Sequence, residues 1–202
     1  MTMFPTCAVA VALSVAFGAV STACTTHRSE RVPGTPYSFK RMSDRHEWLT
    51  ENVNVGVPGS YCYQDDELMC RRYGRLYTWD AAQRACRSLH GGWRLPTDEE
   101  WRRLAKPYGG VQGESADDGK SAYESLLKGG YSGFDALLGG GRAPDRNEYD
   151  RLEAHGFYWT ASESGPASAV FFNFGRGSQA LYRQPEGEKP RAFSVRCVRE
   201  NN

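Results

Sequence analysis

The chain lacks any block of like charge. Its 202 residues carry 25 basic and 24 acidic side chains, a net of +1. That balance excludes the electrostatic footprint of a nucleic-acid binder. The densest basic pairs, Arg71-Arg72 and Arg102-Arg103, stand beside acidic neighbours and read as solvated helix faces. Metal-ligand spacing is missing too: His27, His46, His90 and His155 are scattered. The glycine run 139–141 lacks the strand–Gly-x-Gly-x-x-Gly–helix context of a phosphate site, and Asp117-Asp118 lacks a calcium-ligand repeat. No nucleophile–base constellation stands out, so neither catalysis nor a cofactor or metal is expected. There is no internal repeat of solenoid period. Aromatic residues, in contrast, make up 12%, and apolar residues 40%, enough for a real core. The 22 glycines imply much turn-rich backbone.

Residues 1–23 contain no charged side chain. Cys7 to Val20 is a run of small and aliphatic residues of signal-peptide length, shorter than a membrane span needs. Ser21-Thr22-Ala23 then supplies small residues for cleavage before Cys24. A secretory leader is therefore expected over 1–23, with Cys24 as a lipidation site resembling a bacterial lipobox cysteine. Ser21 stands where that pattern wants Leu, Val or Ile. Parity supports the modification: of six cysteines, lipidation of Cys24 after cleavage leaves Cys62, Cys70, Cys86 and Cys197 for two bridges. Residues 24–45, rich in Thr, Ser, Arg, Pro and Gly, read as a flexible tether. The folded domain is expected over 46–200.

Within it, Trp48 to Val57 reads as a first strand ended by Pro58-Gly59. Cys62 and Cys70 are expected to close a small loop. Trp79, Ala82, Cys86 and Leu89 fall on one face of a helix that Gly91-Gly92 stops. Thr97-Asp98-Glu99-Glu100 is a capping box opening a second helix, with Trp101 and Leu104 inward. A short helix is expected around Ser121–Lys128. Phe157 to Ala161 and Ala169 to Phe174 are strand candidates, as is Phe193 to Val198, whose alternation turns Cys197 inward. An inward cysteine on the first helix and another on the last strand imply a Cys86–Cys197 bridge.

Several motifs, in order, carry a family resemblance: Gly74-Arg-Leu-Tyr-Thr-Trp-Asp-Ala-Ala, Cys86, Gly92-Trp-Arg-Leu-Pro-Thr-Asp-Glu-Glu-Trp101, Gly133 to Arg142, Tyr158-Trp-Thr-Ala-Ser-Glu163 and Phe193-Ser-Val-Arg-Cys-Val198. They closely resemble the Fibrobacter succinogenes major paralogous domain. Leu138 departs from the proline usual before the glycine run, and Arg87 to Gly91 is longer than the usual link. The resemblance implies an α+β, C-type-lectin-like fold: two helices on a small antiparallel sheet, long Gly-rich loops and disulfide staples. It also implies export, commonly with a lipid anchor in a bacterial envelope, and the function expected of such a domain is non-catalytic binding of an undefined glycan or protein ligand.

The fold's usual ligand surface corresponds to Trp159–Tyr182, where Asn173, Arg176, Ser178, Gln179 and Tyr182 are the candidate binding residues. Trp159 reads as core, and Arg176, Ser178 and Gln179 as exposed. Gln184-Pro185-Glu186 only superficially echoes the calcium-dependent sugar motif of true C-type lectins. Other readings are a diversified ligand-display protein of a retroelement system, a structural envelope protein, and a formylglycine-generating-like enzyme. The last would use a closely spaced C-terminal cysteine pair, and only Cys197 lies in that region.

Overall fold

The computed structural model describes residues 29–144 and 148–200. The expected leader and Cys24 lie outside the described residues. Among these, four α-helices alternate with eleven strands arranged in four small antiparallel sheets. The architecture is mixed α/β, with one α-helix beyond the three expected along the chain.

The first sheet runs in the order β1 (Glu30–Arg31), β2 (Ser38–Arg41), β3 (Glu47–Leu49), β11 (Val198–Arg199). It corrects the tether expected over 24–45: from Ser29 onward that stretch is built into the domain. Pro33-Gly34 makes a tight turn, with Gly34 at φ 73° and the Thr35 amide donating to the Val32 carbonyl. The turn lays Val32, Tyr37, Phe39 and Met42 into the core. The prolines and glycine that resemble a linker are turn residues of a hairpin.

β3 ends at Leu49, short of the expected strand to Val57. The following backbone divides its hydrogen bonds between two segments: Val53 donates to Val195, and Arg75 donates to Val53. Two two-stranded ribbons, β4 (Ser60–Tyr61) with β5 (Leu76–Tyr77) and β6 (Gly141–Arg142) with β7 (Tyr149–Asp150), brace the loops.

Cys62 and Cys70 are bonded, and between them begins α1 (Glu67–Tyr73). The sequence shows no amphipathic stripe here, because only Cys70 and Tyr73 are buried and Leu68 is exposed. The Asp66 side chain caps it, accepting from the Leu68 amide at 2.8 Å. Helix α2 (Trp79–Arg87) buries Trp79, Ala82 and Cys86, as its spacing requires, with Leu89 just beyond. Cys86 is bonded to Cys197 across 111 residues.

Helix α3 (Asp98–Ala105) opens on the expected capping box. Thr97 Oγ1 accepts from the Glu100 amide at 3.2 Å, and Glu100 Oε2 accepts from the Thr97 amide at 2.8 Å. Arg94 grips the same carboxylate with two nitrogens, at 2.8 and 2.7 Å. Burial alone would raise the Glu100 carboxyl, but Arg94 and Thr97 together outweigh it and hold it at about 2. A carboxyl depressed on folding stabilises the fold fully above its ordinary value of 4.5. That contribution, on the order of 3 kcal/mol, drains away as pH falls from about 5 toward 2. Glu100→Gln is expected to lower the urea midpoint at pH 7 and to flatten its decline in acid. An unchanged acid slope in the variant would show that other carboxylates govern acid unfolding.

Helix α4 (Lys120–Leu126) follows a loop held by Asp117, which accepts from the amides of Gly119 and Ser121. Asp117 therefore serves as a loop brace.

The largest sheet has the order β10 (Ala180–Glu188), β9 (Ser168–Gly175), β8 (His155–Gly165). It separates two apolar clusters. Phe157, Trp159, Ala169 and Phe171 face one, with Tyr77, Trp79 and Phe193. Tyr158, Val170, Phe172, Phe174 and Leu181 face the other, with Trp48, Trp101 and Phe134. Coverage on both faces explains why β8 and β9 read as continuous apolar runs. Trp159 is core, and its indole donates to the Tyr77 carbonyl. β10 carries Pro185 and Gly187 at a bulge, which hides it from strand reading; an edge strand tolerates both.

The final segment corrects a second expectation. Phe193, Val195 and Cys197 point inward, but Ser194, Arg196 and Val198 are buried as well. The segment is enclosed, bridging Tyr77 from Phe193 and Tyr158 from Ser194.

Candidate functional site

The β8–β9–β10 sheet is not covered along its whole length. Cross-strand pairs place His155 beside Gly175, Phe157 beside Asn173, and Asn173 beside Tyr182. Residues opposite one another share a face, so His155, Phe157, Phe171, Asn173 and Tyr182 all look the same way. At this end the face opens into a cleft of about 480 Å³. Phe157, Phe171 and Phe193 form its floor, their rings packed with centroids 4.8 to 5.9 Å apart. The rim is charged: Arg151 and Arg191, with Glu186 and Glu188 from β10.

The polar centre of the cleft is an oriented pair. His155 Nδ1 lies 2.9 Å from Asn173 Oδ1, and His155 Nε2 lies 3.3 Å from Arg151 Nη1. The neutral Nδ1–H tautomer satisfies both contacts, donating to the amide oxygen and accepting from the guanidinium. The imidazole also stacks on Phe157, with centroids 5.3 Å apart and planes 14° apart. With its oxygen engaged, Asn173 keeps its Nδ2 donors for the cleft. Its side chain is only 9% exposed, so those donors sit on a buried, fixed amide. The cleft thus offers an aromatic floor, amide and guanidinium donors and carboxylate acceptors.

The five sequence candidates do not form one patch. Asn173 lines this cleft, and Tyr182 is its cross-strand neighbour. Ser178 and Gln179 make the β9–β10 turn, where the Ser178 hydroxyl donates to the Gly175 carbonyl and Gln179 adopts φ 51°. Arg176 lines a different cleft with Tyr73, Leu137 and Glu153. Sequence reasoning missed His155, Arg151, Phe157 and Arg191. A strand register pairing Phe157 with Asn173 was the one signal able to reveal His155, and spacing within one strand does not supply it.

A second cluster joins His46, Glu100 and Glu200. His46 Nε2 lies 3.6 Å from Glu100 and 3.3 Å from Glu200, but Arg94 already engages both carboxylates. Their lone pairs serve an ion-pair network tying the β2–β3 hairpin, α3 and the C-terminal end of the domain.

These features define a disulfide-stapled, mixed α/β domain with an open cleft on its main sheet. The model of the Fibrobacter succinogenes major domain matches residues 38–199. The chain belongs to that family. No curated protein and no solved structure matches it. Among the described residues no helix is long and apolar enough to cross a membrane.

Proposed function

We propose that the protein is a non-catalytic binding module of a bacterial envelope, displayed through a lipid on Cys24. The fold is read as C-type-lectin-like. Support comes from a first-helix cysteine, Cys86, bonded to a final-segment cysteine, Cys197, with helices packed against the main sheet. The observation carrying the binding reading is the cleft itself. A ring-lined floor with one fixed amide and charged groups of both signs suits a polar ligand with an apolar face, as in a glycan or a protein loop.

The test is binding of the purified protein to a mixed glycan and protein array, with Asn173→Ala and Phe171→Ala beside it. The expected result is a specific ligand whose affinity falls at least tenfold in both variants while the thermal midpoint moves little for Asn173→Ala. Binding that survives both changes would place the ligand elsewhere. A blank array with a well-folded protein would favour a structural envelope role.

A further inference from the structure

Two further clefts share no lining residue with the sheet-face cleft. These two, of about 430 and 260 Å³, share Lys128 and Leu137 and so form one groove. The first runs past Tyr37, Thr50, Asn52, Asn54 and Arg71, and the second ends at Glu153 and Arg176.

Charge along this groove is unevenly committed. Its carboxylates keep their charge but are held in place from within. Glu51 accepts from the Ser38 amide, Asp135 from the Gly129 amide, and Glu153 from both Arg72 and the Tyr73 hydroxyl. The cations are not. Arg71, Lys128 and Arg176 are exposed and have no side-chain hydrogen bond or ion pair with the described residues. Arg71 and Lys128 therefore follow one another along the groove without a partner among the described residues, while Arg176 faces Glu153, whose carboxyl Tyr73, Arg72 and Arg176 together hold below its ordinary value.

The floor beneath them is rigid. Asn52 Nδ2 donates to the Tyr73 carbonyl at 2.8 Å, and its Oδ1 accepts from the buried Arg196 at 2.7 Å. The Leu137 amide donates to the Tyr158 hydroxyl, which donates in turn to Asn52. Arg196 also donates to the Asp135 carbonyl. One buried network thus holds both walls, and the Cys62–Cys70 bridge holds the helix that presents Arg71. A rigid floor under exposed cations lowers the ordering cost of binding.

We infer that this groove binds a linear anionic glycan, a chain of carboxylate-bearing sugar units. Arg71, Lys128 and Arg176 meet successive carboxylates. Thr50 and Asn54 line the groove and offer polar groups to sugar hydroxyls, and Leu137 gives an apolar body for ring faces. The site shares no lining residue with the sheet-face cleft, so either can fail alone.

The probe is polygalacturonate, titrated into the purified full chain at two salt concentrations, with neutral dextran and poly-L-glutamate as comparisons. The wild type is expected to bind polygalacturonate, weakening several-fold between 50 and 200 mM salt on the order expected for a few charge contacts. The Arg71→Glu/Lys128→Glu variant is expected to bind at least tenfold more weakly with an unchanged thermal midpoint. Arg176→Glu is expected to weaken it less, and Asn173→Ala not at all. The inference is overturned by absence of binding, or by equal binding to the double variant. It is overturned equally if poly-L-glutamate binds as tightly as polygalacturonate, because the groove would then read charge and not sugar.

Discussion

Replacing Arg196 with methionine is expected to cost about 4 kcal/mol or more, enough to unfold much of a marginally stable domain. The guanidinium is fully buried and makes no ion pair with a carboxylate among the described residues. Its charge is spread over acceptors: Asn52 Oδ1 at 2.7 Å, the Leu49 carbonyl at 3.0 Å, and the Phe134 and Asp135 carbonyls, each at 2.6 Å. It also lies over the Phe134 ring, 4.7 Å from the centroid. Burial pushes the Arg196 guanidinium below its ordinary value, and the neighbouring Tyr158 opposes that shift. Methionine fills similar volume but leaves those acceptors without donors, each costing about 1–3 kcal/mol. Lysine keeps a charge but cannot reach four directions from a planar fork, so Arg196→Lys is expected to recover only part of the loss. Guanidinium unfolding of the three proteins is the measurement. A loss below about 1 kcal/mol for Arg196→Met would show that water or backbone shifts satisfy the carbonyls. Asn52→Ala is expected to cost less in the methionine background than in the wild type, because the two side chains share one network.

The second large effect concerns the long disulfide. Removing it as Cys86→Ala/Cys197→Ala is expected to cost about 4–5 kcal/mol. Removing the short one as Cys62→Ala/Cys70→Ala should cost about 2–3 kcal/mol. The difference follows from loop length, since the bridges close 111 and 8 residues, and closing the longer loop removes more freedom from the unfolded chain. Cys86 and Cys197 also lie in the main core with Trp93, Leu95 and Val195, so their loss loosens packing as well. Denaturant midpoints of both variants and of the wild type decide the matter. Equal losses would show that native packing, not loop closure, sets the stabilisation. The short bridge holds α1, so its removal should weaken the Arg71 end of the groove before it unfolds the domain.

Much of the scaffold was legible along the chain. The stripe Trp79, Ala82, Cys86 and the box Thr97 to Glu100 act within one or two helical turns, so their consequences are local. The Cys62–Cys70 pairing followed from a short loop, and Cys86–Cys197 from two inward positions. Strand β10 was hidden because Pro185 and Gly187 are tolerated only at an edge, and being an edge is a property of the assembled sheet. The β1–β2 hairpin was mistaken for a tether because its Pro-Gly turn has linker composition. Only the pairing with β3 distinguishes the two.

The sites divide along the same line. Asn173 could be named from its place in a strand, but its partner His155 lies on another strand and meets it only through the β8–β9 register. Arg176 was set beside Asn173 by sequence proximity and stands in a different cleft, because the β9–β10 turn carries it away. The sequence by itself determined the starts of α2 and α3, the Thr97 capping box, the disulfide partners and the apolar strands β8 and β9, since these depend mostly on residues a few positions apart. Tertiary structure alone decided that Arg196 is buried among carbonyls, that Asn173 meets His155, and that Arg71, Lys128 and Arg176 share a groove. Each of those depends on segments far apart in the chain, and their meeting is set by sheet register and packing, which no local pattern encodes.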